Sequence, residues 1–192
     1  MSSYGFRRTL TGRISARFEE PERSLLVNLT GQLVQMVEPP APSEDQDPLA
    51  AMVGIEADVS RPDDPAVARL FPDAYLDDPT ASDDFRRYTE RSLRTAKLAN
   101  ARTVLDTLAT SGEKVTLADG PAAAWLGTLN DLRLVLGSRL AITDEGHQIP
   151  DDMDPDDPSL GLHHIYDWLT YLQETLVQTM TGLVSELPDE PR

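Results

Sequence analysis

Residues 162 to 187 constrain the fold of this chain more than any other stretch. Ile165, Trp168, Leu169, Leu172, Leu176, Met180 and Leu183 recur every three or four residues and share one face of a helix, with Pro188 as its expected stop. A stripe this regular must be buried against elements of comparable length. A second helix, expected over about residues 121–140, carries Trp125, Leu129, Leu132, Leu136 and Leu140 as its stripe. Leu134 and Val135 lie off that stripe, so this helix should be buried on most sides. Gly137 inside it implies a close backbone approach, because Gly costs a helix interior roughly 1 kcal/mol relative to Ala.

Four further helices are expected. Glu19-Glu20-Pro21-Glu22 opens one over about 21–37, with Leu25, Leu29, Leu33 and Met36 at helical spacing. Asp47-Pro48 and Asp64-Pro65 each pair an N-cap acid with Pro at the first helical position, introducing short helices at about 48–53 and 65–71. The longest spans about 82–109, where Phe85, Tyr88, Ser92, Ala96 and Ala99 trace a narrow face suited to close helix contact. Acidic, Pro-bearing linkers fill about 38–47 and 143–158.

The N-terminus has a different period. Phe6, Leu10, Ile14, Ala16 and Phe18 alternate with Arg7, Thr9, Thr11, Arg13, Ser15 and Arg17, the pattern of a half-buried hairpin over about 4–18. A three-residue loop, Thr11 to Arg13, would pair Leu10 with Ile14 and Phe6 with Phe18 on the apolar face. Arg8 is the one polar residue on that face. Such a hairpin is marginal alone and should pack on helices. The fold class expected is mainly α: a helical bundle with one short N-terminal β-hairpin, in a single domain over 1–192.

Absence of cysteine removes disulfides, thiolate nucleophiles and Cys-bearing metal sites. With no apolar signal-like run at the start and no stretch of 18 apolar residues, the expectation is a cytoplasmic protein without membrane contact. The 33 acids against 17 bases give a formal charge of −16, but the charge is local. Residues 38–78 carry −9 and residues 143–161 carry −7, while 1–18 carry +4 and 80–109 carry +2. This distribution argues against tight duplex binding, which needs phosphate neutralisation, without excluding anionic ligands at the basic patches.

Two constellations of charge merit weighing. Arg86, Arg87, Arg91, Arg94, Lys97 and Arg102 share one helix and could meet an acidic partner or a phosphate. Internal pairing is the simpler account: Glu90 lies four residues from both Arg86 and Arg94, and Asp83 four before Arg87. On the 121–140 helix, Arg139 projects within the apolar stripe and Arg133 at its edge, beside Asn130 and Asp131. A buried Arg needs an acid, and Asp167 and Glu174 on the last helix are the expected partners. These six residues are the candidate binding set. They form either a polar pocket recognising a carboxylate or phosphate, or a structural pair fixing helix docking; the pattern favours the pair. Trp125 and Trp168 read as core anchors before ligand platforms.

No catalytic set, metal site or cofactor motif emerges. Adjacent His163 and His164 diverge on a helix, and Asp151 to Asp157 lacks the Gly and Glu of a calcium loop. Nucleotide loops and nucleophile elbows are equally missing.

Three runs carry a family resemblance. The first is Asp64-Pro65-Ala66-Val67-Ala68-Arg69-Leu70-Phe71-Pro72-Asp73-Ala74-Tyr75 followed by Asp84-Phe85-Arg86-Arg87-Tyr88-Thr89-Glu90. The others are Trp125-Leu126 with Leu129 to Gly137, and Tyr166-Asp167-Trp168-Leu169 with Leu172-Gln173-Glu174. Together they resemble an actinobacterial family known as a domain of unknown function, whose members are commonly encoded beside the ClpS protease adaptor. The resemblance spans nearly the whole chain and, by that association, implies a link to proteolysis, with a Clp-related protein partner, or to amino-acid metabolism; it transfers no catalytic residue. The expected function is a non-enzymatic binding or regulatory module. The alternatives are a small-molecule site around Arg133 and Arg139, and a transcriptional regulator using the Arg helix or the basic hairpin. Apolar residues beyond one stripe on several helices also admit a homodimer.

Overall fold

The computed structural model describes residues 4–38, 61–143 and 157–182, together with residues 149 and 154. Strand β1 (Tyr4–Arg8) and strand β2 (Ile14–Arg17) lead into helix α1 (Glu20–Val37); helices α2 (Pro65–Leu70) and α3 (Pro79–Thr110) follow. Strand β3 (Lys114–Leu117), helix α4 (Asp119–Arg139) and helix α5 (Pro158–Thr181) complete the order. The mainly helical class with a small sheet is as the periodicity implies. The helix expected at 48–53 and most of the acidic linkers lie outside the described residues.

Three helices start with the same device. Asp64, Asp78 and Asp157 each precede a Pro and accept a hydrogen bond from a backbone N–H of the first turn, on Ala66, Ala81 and Ser159. The second and third starts fall three and four residues before the expected ones at about 82 and 162, because the apolar stripes begin only at Phe85 and Ile165. In α1 the Glu22 carboxylate accepts the Glu19 N–H at 2.8 Å. Helix α5 ends at Gly182, whose φ of 73° is the left-handed cap that Gly adopts freely, and not near Pro188.

The hairpin corrects its expected register. Arg8 faces Ile14 and Arg7 faces Ser15, two residues away from the pairing that would set Leu10 against Ile14. Thr9 N–H donates to Arg13 O at 2.7 Å, so the loop is Leu10-Thr11-Gly12. Gly12 takes the left-handed position with φ 80°, the conformation that a three-residue loop requires of its last member. Leu10 consequently stands fully exposed at the tip. Phe6 and Phe18 still meet edge-to-face, at 6.1 Å between ring centroids. Strand β3, absent from the expected elements, pairs antiparallel with β2 and gives the order β1-β2-β3.

Helix α4 is central and packs on α1, α2, α3 and α5. Trp125 is fully buried, stacked on Phe18 at 5.7 Å and edge-on to Phe6 at 5.6 Å, which makes it the core anchor expected of it. Leu169, Leu172 and Leu176 bring the α5 stripe into the same core. In α1 the innermost line is Leu26, Thr30, Leu33 and Val37, one position round from the expected stripe.

The free edge of β1 is covered by a helix instead of a strand. Tyr171, Thr175 and Thr179 project from α5 and replace a neighbouring strand's backbone. Gly5 N–H donates to the Tyr171 hydroxyl and Phe6 N–H to Thr175 Oγ1, while Thr179 Oγ1 donates to Phe6 O. Arg8, the polar intruder on the apolar face, donates to Gly12 O and Thr179 O. The contact is close: a Cβ on Gly5 would stand 2.6 Å from Thr175 Oγ1. At Gly137, by contrast, a Cβ would meet Tyr166 at an ordinary 3.5 Å, so the close approach expected there is not one that demands Gly.

Candidate functional site

Beside the N-terminal half of α3 lies a groove of about 560 Å³, lined by Phe71, Pro72, Ala74, Phe85, Leu93 and Ala96. The narrow face Phe85, Tyr88, Ser92, Ala96 and Ala99, expected to make close helix contact, instead faces solvent. Phe85 and Tyr88 are 48 % and 67 % exposed, and Tyr75 closes edge-on against Phe85 at 6.3 Å. The inner face of this part of α3 is ionic. Ser82, Arg86, Glu90 and Arg94, four residues apart, are the residues that α3 buries here, and three of them are charged.

Arg86 and Glu90 of that ladder, with Asp73, form the floor of the groove. Glu90 accepts from Arg86 Nη1 at 2.9 Å and from Arg94 Nη2 at 2.6 Å. Arg86 Nη1 also donates to Phe71 O, and its Nη2 reaches Asp73 at 2.7 Å, which Arg61 approaches at 3.6 Å from the other side. Arg94 donates to the carbonyls of Val37 and Glu38 and lies 4.2 Å over the Phe71 ring. Burial works against the charge of Arg86, but hydrogen bonds to Glu90 and Asp73 outweigh it and raise its pKa. The network therefore ties the end of α1 and the segment after α2 to α3. The spacing around Glu90 is visible in the sequence; its burial, and the role of Asp73, are not. Arg87 pairs with Asp84 at 3.6 Å instead of the expected Asp83.

The six candidate residues on α4 and α5 do not converge on one pocket. Arg133 is half-buried and donates to Thr170 Oγ1 at 2.9 Å, Gln173 Oε1 at 2.7 Å and the Tyr166 hydroxyl at 3.3 Å. Its guanidinium lies 5.2 Å from the Tyr166 ring centroid. Its acceptors are thus neutral, while Asp167 and Glu174, the expected partners, are exposed. Arg139 is not buried: it is the last residue of α4, half-exposed, and reaches past the helix end to Asp64 at 2.6 Å. Projection angle alone places it in the stripe because it assumes that the core continues to the helix end.

Asn130 is exposed, whereas Asp131 is buried and pairs with Lys97 of α3 at 2.6 Å. Burial raises the Asp131 pKa, and Lys97 only partly offsets it. No local signal joins these two residues, which lie on different helices. The Asp64 pKa is lowered by the Ala66 N–H and then by Arg139. Among the described residues no group of three or more His, Cys, Asp or Glu could hold a metal, and no helix is long and apolar enough to cross a membrane.

Fold and site together define a mainly helical, cysteine-free protein in which a three-stranded sheet closes one side of the core and an apolar groove overlies a paired ionic floor. The chain belongs to the family described as a domain of unknown function, DUF2017, whose model matches residues 3–180. It is similar to proteins named oxidative stress regulator AosR in Mycobacterium bovis and Mycobacterium tuberculosis. Each is 35 % identical over 175 residues, covering 84 % of this chain and 79 % of the relative. No solved structure matches the chain.

Proposed function

We propose that this chain is a regulatory protein of the oxidative-stress response and that it acts by binding a protein partner, without catalysing a reaction. The observation that carries this reading is its similarity, over most of both chains, to proteins named oxidative stress regulator. The groove supports recognition over chemistry, because its lining is largely apolar and the charges beneath it are spent on one another. The lack of cysteine adds a constraint. This chain has no thiol to oxidise, so an oxidant signal does not enter through a disulfide in this chain. The Clp connection implied by the family resemblance is one identity for that partner; a component of the transcription machinery is another.

The test is a deletion strain of the source organism, challenged with hydrogen peroxide and compared by transcript profile with the parent. Part of the induced response should be lost and then restored by the intact gene. An unchanged profile overturns the reading.

A further inference from the structure

The outer face of the sheet is the strongest feature that this reading leaves unused. Residues paired across a sheet share a face, and the registers Arg7↔Ser15↔Thr116 and Arg17↔Lys114 place these five side chains together. Arg13 continues the same side of β2. The opposite face holds Phe6, Ile14, Ala16, Val115 and Leu117, all buried in the core. Four exposed cations and the exposed Thr116 therefore lie side by side, around a buried Ser15, on a chain whose net charge is −16. The basic alternation of the hairpin is legible in the sequence; Lys114 and Thr116 join it only because β3 pairs with β2.

Two observations set this face apart from an ordinary solvated surface. Arg17 and Lys114 are direct cross-strand partners, and like charges placed directly opposite destabilise a sheet. In addition, Arg17 alone has an acid, Glu113; among the described residues Arg7, Arg13 and Lys114 form no salt bridge. Elsewhere several exposed bases find acids, as Arg61 does at Asp73, Arg87 at Asp84 and Arg139 at Asp64; among the described residues the exposed Arg69 and Arg102 form no salt bridge either, but they lie apart from each other, not clustered on one face.

We propose that the outer face of the sheet, Arg7, Arg13, Arg17 and Lys114, docks an acidic segment of a protein partner. The reading rests on the proposed mode of action through a protein partner and names the chemistry of that partner. Carboxylates bound here relieve the Arg17–Lys114 repulsion and gain bidentate contacts from three arginines. A protein segment fits better than duplex DNA. Four cations neutralise few phosphates, and the acidic remainder of the chain repels a long polyanion that a short peptide avoids.

The experiment is fluorescence anisotropy with a labelled 12-residue Glu-Ser repeat peptide and a labelled 20-base-pair duplex, each titrated at 50 and 200 mM salt. The full chain should bind the peptide more tightly than the duplex and more weakly at the higher salt. The triple variant R7S/R13S/K114S should lose at least tenfold in peptide affinity, with unchanged or higher thermal stability. A control, R87S/R102S, should bind as the wild type does. Equal peptide binding by the triple variant overturns the proposal, as does equal loss in the control. Tighter duplex binding that the triple variant abolishes also overturns it, in favour of nucleic acid. So does a concentration-dependent dimer, seen by sedimentation, that the same substitutions dissolve. The deletion strain separates the two readings. An unchanged peroxide response there removes the regulatory role and leaves the peptide result standing. A response restored in full by the triple variant removes this surface and leaves the regulatory role.

Discussion

Gly5 and Gly137 show how the same residue type carries different weight. A methyl on Gly5 would enter Thr175, where backbone N–H groups of β1 depend on the α5 hydroxyls. Gly5→Ala should therefore cost about 1–3 kcal/mol in urea unfolding, the usual cost of overpacking. Gly137→Ala should gain up to about 1 kcal/mol, because its new methyl meets Tyr166 at ordinary contact distance and helix propensity improves. The Asp131–Lys97 pair gives a pH-dependent case. The folded pKa of Asp131 is raised by burial, so its contribution is full below the ordinary aspartate value and is lost as pH rises through the folded one. Lys97→Met removes the attraction that, among the described residues, opposes that loss. The variant should fall progressively below wild type as pH rises through this range, by about 3 kcal/mol near neutrality, and carboxyl NMR should place its Asp131 pKa still higher.

Among the elements, α3 is the one whose pattern misleads most. Its apolar line from Phe85 to Ala99 looks like a packing face, but in the first half of the helix the buried positions are Ser82, Arg86, Glu90 and Arg94. The i,i+4 spacing of these charges is legible and points to pairing. Whether paired charges are solvated or buried depends on Val37, Phe71 and Asp73, which approach from other parts of the chain. Glu90→Gln leaves two buried guanidinium groups short of charge and should cost about 3–5 kcal/mol in chemical denaturation. Amide exchange at the end of α1 should accelerate with it, because Arg94 holds the carbonyls of Val37 and Glu38. Helix starts were more legible than the periodicity alone suggests. The Asp-Pro pair that marks α2 also marks α3 and α5, since Asp satisfies a first-turn N–H and Pro lacks one to satisfy.

Over the whole molecule, one continuous core joins the hairpin, α1, α4 and α5 through Phe6, Phe18, Trp125 and Leu172. Loss of any of these elements exposes the others, so far-UV circular dichroism and tryptophan fluorescence should report one coincident unfolding transition. Separate midpoints would divide the chain into two folding units. The sequence by itself determined the helical class, the hairpin, the anchoring role of Trp125 and the local nature of the charge. These follow from period, composition and nearest-neighbour chemistry, all carried by residues close together in the chain. Only the tertiary structure decided the partners of Arg133, Arg139 and Asp131, the burial of Glu90, and the joining of Lys114 to Arg17 in one basic face. Those contacts join residues far apart in sequence, and a charged side chain gives no local sign of which distant oxygen or cation will lie within reach once the helices pack.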